Sequence, residues 1–217
     1  MYHTGPCGNQ SPRHVTKANT FDEATRLGGM LGRSIADAIG SMEYSGDAAL
    51  ACARAFVYLS PRDFPTVAAA RQQVEMATKR LETLRQSKAD RREIRTAECD
   101  WFGAEETLAL AKAAEAGRLQ AAVAAVMPAE IMLMRVGPRV FVGWPGECFV
   151  EFALKVKAQQ PRCCVISMAN GELQGYLVTE EAMRQRWYEA MNSLFTSPEA
   201  GMTLVNVTLE MLRGQTR

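Results

Sequence analysis

The sequence predicts an α/β protein in which a mixed or parallel β-sheet is covered by helices. Helical periodicities alternate with apolar, strand-like runs along the chain, and the carboxyl-terminal half has several short apolar runs typical of a buried sheet. A chain of 217 residues is long enough to bury a sizeable core. We therefore interpret residues 1–217 as a single domain, with no internal repeat and no low-complexity linker.

The amino-terminal half is predicted to hold one strand between helices. Thr20-Phe-Asp-Glu23 is a capping-box pattern, so a helix should begin at Phe21, with Thr20 as its cap and Glu23 reaching back to it. Pro65 is typical of a helix start, and the mixed charges after the second helix indicate a solvated helix or connection. In order, the elements are a loop over 4–14, a helix from 21, a strand over 51–59, a helix over 66–88, the charged stretch 88–95 and a helix over 104–117.

The carboxyl-terminal half is predicted to supply most of the sheet. Its apolar runs are short and bounded by Gly, Pro and Asn, as buried strands are. Thr179 and Ser197 are expected to cap the last two helices. The predicted strands are 119–126, 130–136, 140–144 and 163–168, and the predicted helices are 149–157, a short one after 179 and a final one ending at 212.

Composition excludes several classes of protein. A net charge of +1 offers no electrostatic footprint for nucleic acid or an anionic membrane. No apolar run approaches the roughly 18 residues needed to span a bilayer, and the start lacks the pattern of a secretory signal. The six cysteines include no C-x-x-C pair, so we interpret them as free buried thiols rather than a disulfide or thiolate-metal framework.

Four residues are candidates for chemistry. Glu147 follows the strand that ends at Trp144, Tyr176 follows the next strand, and ligand sites of open α/β sheets collect at such strand ends. Ser11 lies in the opening loop, and Tyr188 follows Tyr176 on the next helix, where it could face the same place. Each also has a structural interpretation: Glu147 as a partner of a helix dipole, the tyrosines as half-buried packing residues and Ser11 as a turn residue.

Taken together, these positions resemble the neutral, non-lysosomal ceramidases. Gly8-Asn-Gln-Ser11-Pro12 resembles the nucleophile loop of that family, which reads roughly Gly-Asp-x-Ser-Pro. The downstream motifs follow in the order of the family, and the resemblance is best between about residues 130 and 195. These motifs are Phe141-Val-Gly-Trp-Pro-Gly-Glu147, Ala169-Asn170, Gly175-Tyr-Leu-Val-Thr179 and Gln185-Arg-Trp-Tyr-Glu-Ala190.

The resemblance implies a zinc-dependent amidase. Members of the family cleave the N-acyl bond of ceramide to sphingosine and a fatty acid, so the implied substrate is a ceramide-like lipid or another N-acyl amide. Ser11 matches the serine that attacks the amide carbonyl, and Tyr188 matches the tyrosine that donates to the carbonyl oxygen or its anion. Glu147 and Tyr176 match two ligands of the zinc ion.

The sequence also departs from the family. Asn9 stands where the family usually has aspartate, and neither His3 nor His14 lies in a His-x-His or His-x-x-x-His arrangement. Because the family takes its zinc-binding histidines from segments before the serine loop, we expect an incomplete version of the catalytic domain. It would correspond to the carboxyl-terminal portion, without the β-sandwich tail of the family, and would show little or no amidase activity alone. We interpret His14 as a loop residue rather than a substitute zinc ligand.

Two alternatives stay open beside this hypothesis. One is a non-catalytic α/β binding or partner subunit that retains the hydrolase scaffold, and the other is an unrelated α/β protein with accidental matches. An incomplete sheet would expose edges and apolar surface, which favours self-association or a second chain that supplies missing elements. The compartment is left unassigned, because a missing amino-terminal part could carry an export signal.

Overall fold

A computed structural model describes residues 3–12, 15–44, 46 and 48–214, so His14 lies outside the described residues. The fold is α/β, as the sequence predicts, with helices around one mixed sheet and one small parallel sheet. In chain order the elements are α1 (Phe21–Ile39), β1 (Leu50–Val57), α2 (Val67–Gln86), α3 (Arg91–Glu115), α4 (Leu119–Val126), β2 (Ala129–Val136), β3 (Arg139–Gly143), β4 (Glu147–Cys148), α5 (Val150–Gln159), β5 (Cys163–Ile166), β6 (Tyr176–Leu177), α6 (Glu180–Arg184), α7 (Tyr188–Met191) and α8 (Pro198–Gly214).

The larger sheet has four strands in the order β1-β2-β3-β5. Strands β1, β2 and β3 are antiparallel to their neighbours, whereas β5 runs parallel to β3 because α5 carries the chain back across the sheet. The smaller sheet pairs β4 with β6 in parallel. Both strands of that pair come directly after the loops that leave β3 and β5, so the small sheet lies where those strands end.

Helices α5 and α8 cover one face of the larger sheet. Side chains that alternate along the strands, such as Leu133 and Val142, are fully buried in the core that includes Phe152 of α5 and Leu204 of α8. The buried Trp144 at the end of β3 donates its indole N–H to Thr208 Oγ1 of α8 at 2.9 Å. This hydrogen bond satisfies the indole nitrogen, which would otherwise be costly to bury.

The opposite face of the sheet and the first helix expose apolar side chains. Phe56 of β1 and Met134 of β2 point to that face and are 51% and 46% exposed. Helix α1 carries a stripe with Leu31 and Ile35, both about half exposed. Exposed apolar surface of this extent is typical of a surface that binds another molecule.

Several predictions from local sequence are confirmed. Helix α1 begins at Phe21, and Thr20 Oγ1 accepts a hydrogen bond from Glu23 N at 3.3 Å. The other half of the capping box is wrong, because Glu23 Oε1 accepts from Lys17 N at 2.8 Å and not from Thr20. Thr179 and Ser197 cap α6 and α8 by accepting from Ala182 N and Ala200 N. The strands predicted at 51–59, 130–136, 140–144 and 163–168 are present with boundaries shifted by one to two residues.

Two predicted elements are wrong. Residues 119–126 form helix α4 rather than a strand. Their repeated alanines favour a helix, and none of these residues is buried, whereas a strand inside the sheet would be. The helix expected over 104–117 begins much earlier, at Arg91, where Asp90 caps it by accepting from Arg92 N. The charged stretch is therefore largely the solvated first turns of α3.

All six cysteines are free thiols, as predicted from their spacing, but the prediction that they are all buried is wrong. Three of them, Cys99, Cys148 and Cys163, are buried, while Cys52 is exposed. Within the ranges that the structure describes, no helix is both long enough and apolar enough to cross a membrane.

Candidate functional site

The small parallel sheet places Glu147 beside Tyr176. The chain leaves β3 through Pro145 and Gly146, whose φ of +90° is readily adopted only by glycine. The carbonyl of Gly146 accepts hydrogen bonds from Ser167 Oγ at 2.9 Å and from Met168 N at 3.2 Å, which fixes this turn against the end of β5. Glu147 then begins β4 and is the direct strand partner of Tyr176 in β6.

Tyr188 completes a cluster with these two residues. It is the first residue of α7, and its ring lies edge-on to that of Tyr176, with 6.0 Å between the ring centroids. Asn192, one helical turn later, donates from Nδ2 to the Tyr188 hydroxyl at 3.0 Å. Ser193 Oγ accepts from Tyr176 N at 2.6 Å, so the chain after α7 is tied directly to β6. The structure thus brings Glu147, Tyr176 and Tyr188 together.

Helix α7 owes its position to close packing on α3. A Cβ added at Gly103 of α3 would lie 3.1 Å from Met191 Cβ and 3.5 Å from Tyr188 O. The absence of a side chain at Gly103 therefore lets the two helices approach, and the buried backbone of α7 orients the Tyr188 ring.

Both phenols are protonated at neutral pH, and burial and neighbouring charges raise their pKa values further. The pKa of Tyr176 is raised well above its usual range, first by burial, then by the negative charge of Glu147 and by Tyr188, with hydrogen bonds to both residues adding to the shift. The pKa of Tyr188 is also raised, chiefly by burial, while its hydrogen bond with Tyr176 acts in the opposite direction. Both hydroxyls can therefore donate hydrogen bonds, with Glu147 as the acceptor next to Tyr176.

The loop that carries Ser11 is anchored on the strand that begins with Glu147. Gly8 N donates to Cys148 O at 3.0 Å, and a Cβ at Gly8 would lie 3.0 Å from the carbonyl oxygen of Glu147. Burial raises the pKa of the neighbouring Cys7 thiol, and the negative charge of Glu147 raises it further, so the loop lies within electrostatic reach of that carboxylate. Glycine at position 8 is thus required by close backbone contact.

Asn9 fixes the same loop to the start of α5. Its Oδ1 accepts from Val150 N at 3.0 Å, and so serves as a cap for a helix whose own N-cap residue, Phe149, has no side-chain hydrogen bond. Its Nδ2 donates to both carboxylate oxygens of Glu151, at 2.9 and 2.8 Å. An asparagine can accept and donate in this way, whereas an aspartate cannot donate to Glu151.

Ser11 lies two residues beyond this anchor and is exposed. The turn from Cys7 to Gln10, closed by a hydrogen bond from Gln10 N to Cys7 O at 2.8 Å, leads directly into it. Ser11 therefore follows directly on a loop segment that Gly8 and Asn9 anchor to β4 and to the start of α5.

We predict that Asn9→Asp destabilises the protein by about 1–2 kcal/mol at neutral pH. The substitution removes two hydrogen bonds to Glu151 and places two carboxylates side by side. Urea unfolding of the wild type and the variant measures the change. The double variant Asn9→Asp, Glu151→Gln should recover most of the loss, because the amide of glutamine can donate to the new carboxylate. Equal losses in the single and double variants would contradict this account of Asn9.

The described residues do not by themselves fit a zinc ion. Zinc in proteins usually takes three or four ligands, mostly imidazole or thiolate. Glu147 and Tyr176 offer two oxygen ligands, and among the residues that the structure describes no group of three or more His, Cys, Asp or Glu side chains is arranged to hold a metal. His3, which is within these ranges, packs edge-on against Phe141 at 6.0 Å between ring centroids.

Sequence reasoning identified the four candidate residues but missed their supports. Asn192 could have been found, because a polar residue four positions after Tyr188 on a helix lies on the same face. Asn9 was noted only for the charge it removes, and its cap of Val150 carries no local signal because the two residues are 141 positions apart. The contact of Gly103 with α7 is likewise a product of tertiary packing.

The fold and the site define an α/β protein with a cluster of one carboxylate and two phenols at the ends of its parallel strands, and with a serine loop anchored beside it. Comparisons with protein-family models, with curated proteins and with solved structures found no match to this chain.

Proposed function

We propose that this chain carries part of the active site of a ceramidase-like amidase, which hydrolyses an N-acyl amide such as ceramide. The observation that supports the proposal is the convergence of Glu147, Tyr176 and Tyr188, together with the anchoring of the Ser11 loop on β4. These four residues match the motifs that resemble the ceramidases, and they come from segments far apart in the sequence.

In this proposal Ser11 and Tyr188 act on the amide itself. The Ser11 hydroxyl oxygen adds to the amide carbonyl, the hydroxyl proton passes to the leaving nitrogen, and the C–N bond breaks as the acyl group stays on the serine. Water then hydrolyses the acyl-serine, which releases the carboxylic acid and restores the hydroxyl. The protonated Tyr188 donates a hydrogen bond to the oxygen on which negative charge develops, and Asn192 holds that phenol in place. Glu147 and Tyr176 are proposed as two zinc ligands, and the further ligands must come from outside the described residues.

The second candidate function is a non-catalytic binding or partner subunit. Two exposed apolar surfaces favour this second candidate, since such surfaces commonly contact another chain. They are the stripe of α1 with Leu31 and Ile35, and the sheet face around Phe56. One substitution separates the two proposals experimentally, because only the amidase requires the Ser11 hydroxyl.

The test is turnover of a fluorogenic N-acyl amide by a tagged copy of the chain, isolated with its associated proteins from the cells that produce it. We expect zinc-dependent hydrolysis in this assembly and turnover near background for the chain purified alone. Ser11→Ala should lower hydrolysis by at least about a hundredfold, as removal of a nucleophile does.

Ser60→Ala is a matched control, because Ser60 is also exposed and precedes a proline. It should leave the rate unchanged. Hydrolysis that survives Ser11→Ala, or an assembly that does not hydrolyse the amide at all, would defeat the amidase proposal and favour the binding subunit.

A further inference from the structure

A cavity of about 330 Å³ lies between the segment before α2 and the connections on either side of α7. Neither Glu147, Tyr176 nor Tyr188 lines it, so it is separate from the site described above. Its polar lining includes Arg62, Arg186 and Thr196, and its apolar lining includes Met183, Ala190 and Met191.

Arg62 and Arg186 line this cavity, and among the described residues neither guanidinium forms an ion pair with a carboxylate. Arg62 donates from Nε to Ser193 O at 2.8 Å and from Nη2 to Thr107 Oγ1 and Met191 O, so its Nη1 has no acceptor within the described part of the chain. Burial, together with the nearby charge of Arg186, lowers the pKa of Arg62 to about 10, while the charge of Glu106 acts in the opposite direction, so Arg62 is a cation at neutral pH.

Thr196, which also lines the cavity, has a buried hydroxyl. The residue is 1% exposed, and its Oγ1 has no hydrogen-bond partner among the residues described. A buried hydroxyl without a partner is costly, and native structures usually satisfy such a group with a protein atom, a water molecule or a ligand.

We propose that this cavity is a binding site for a small organic anion. A carboxylate or phosphate group is held by Arg186 and the free edge of Arg62. The cavity has the volume of about ten water molecules, which exceeds a bare inorganic anion, and its methionine and alanine lining suits an apolar body. Asp63 also lines the cavity and is exposed, and Glu106 lies outside the lining but near enough to Arg62 for its charge to raise the pKa of that guanidinium.

The test is calorimetric titration of the full chain with hexanoate, hexyl phosphate and the uncharged hexanol. We expect at least one of the two anions to bind about tenfold or more tightly than hexanol, because only an anion pairs with the guanidinium groups. The tighter of the two anions identifies the head group. Equal binding of hexanol and both anions, or no binding of either anion at millimolar concentration, would overturn the proposal.

Variants locate the site. Arg186→Asn should weaken anion binding by about tenfold, and asparagine tolerates the backbone φ of +55° at this position. Arg184→Asn is the control, since Arg184 is an exposed surface residue that pairs with Glu181 and should leave the affinity unchanged. Unchanged affinity in Arg186→Asn would place any binding elsewhere and overturn the proposal.

Discussion

Gly175→Ala is expected to destabilise the protein by about 3 kcal/mol and to disrupt the Tyr176 site. Gly175 has a φ of +79°, which costs a residue with a side chain about 1–2 kcal/mol. A Cβ there would also lie 2.5 Å from Asn192 O and 2.6 Å from Ser193 Cα, so the chain after α7 must move. Thermal and urea unfolding measure the loss, and near-ultraviolet circular dichroism reports the surroundings of the tyrosines.

The matched control for this variant is Gly117→Ala. Gly117 has a similar φ of +68°, but no atom lies within 4 Å of the position its Cβ would take. It should therefore lose only the backbone cost of about 1–2 kcal/mol. Equal losses of stability in the two variants would contradict the prediction that a side chain at position 175 clashes with Asn192 and Ser193.

Arg62→Met is expected to destabilise the protein by about 2 kcal/mol. Methionine fills a similar volume but cannot donate to Ser193 O, which follows α7, whereas Met191 O keeps the hydrogen bond that it accepts from Thr107 Oγ1 at 2.8 Å. A buried acceptor left without a donor costs about 1–3 kcal/mol, offset in part because the buried charge of Arg62 is removed. Urea unfolding measures the difference from the wild type.

Two further variants make this prediction specific. Arg62→Lys should lose less stability than Arg62→Met. An ammonium group can donate to one of the acceptors Ser193 O, Thr107 Oγ1 and Met191 O, but it cannot reach all three as the planar guanidinium does. Arg54→Met should change stability by less than about 0.5 kcal/mol, since Arg54 is exposed and contacts only the face of Phe56, at 5.4 Å from the ring centroid. A loss below about 1 kcal/mol for Arg62→Met would show that the hydrogen bonds of Arg62 do not fix α7.

The fold class and most of the strands could be predicted because their signals are local. Apolar runs bounded by glycine and proline gave the positions of β1, β2, β3 and β5, and Thr20, Thr179 and Ser197 marked helix starts through hydrogen bonds within three residues. Helix α4 was mistaken for a strand because its apolar run is short, and such runs have no periodicity that separates the two structures.

The four candidate residues were found from motifs, but their geometry could not be. Glu147 and Tyr176 become neighbours only because β4 and β6 pair in parallel, and that pairing depends on where β3 and β5 end in space. The loop of Ser11 is positioned by hydrogen bonds to Cys148 and Val150, and Val150 is 141 positions away from its partner Asn9. The cavity lined by Arg62, Arg186 and Thr196 has no sequence signature for the same reason.

The sequence by itself therefore determined the kind of elements this protein has and where most of them begin, since capping and periodicity act within a few residues. The tertiary structure decided which side chains come together: a carboxylate with two phenols at one place, and at another two arginines that, among the residues described, form no ion pair. These contacts depend on strand pairing and helix packing between segments far apart in the chain, which no short stretch of sequence specifies.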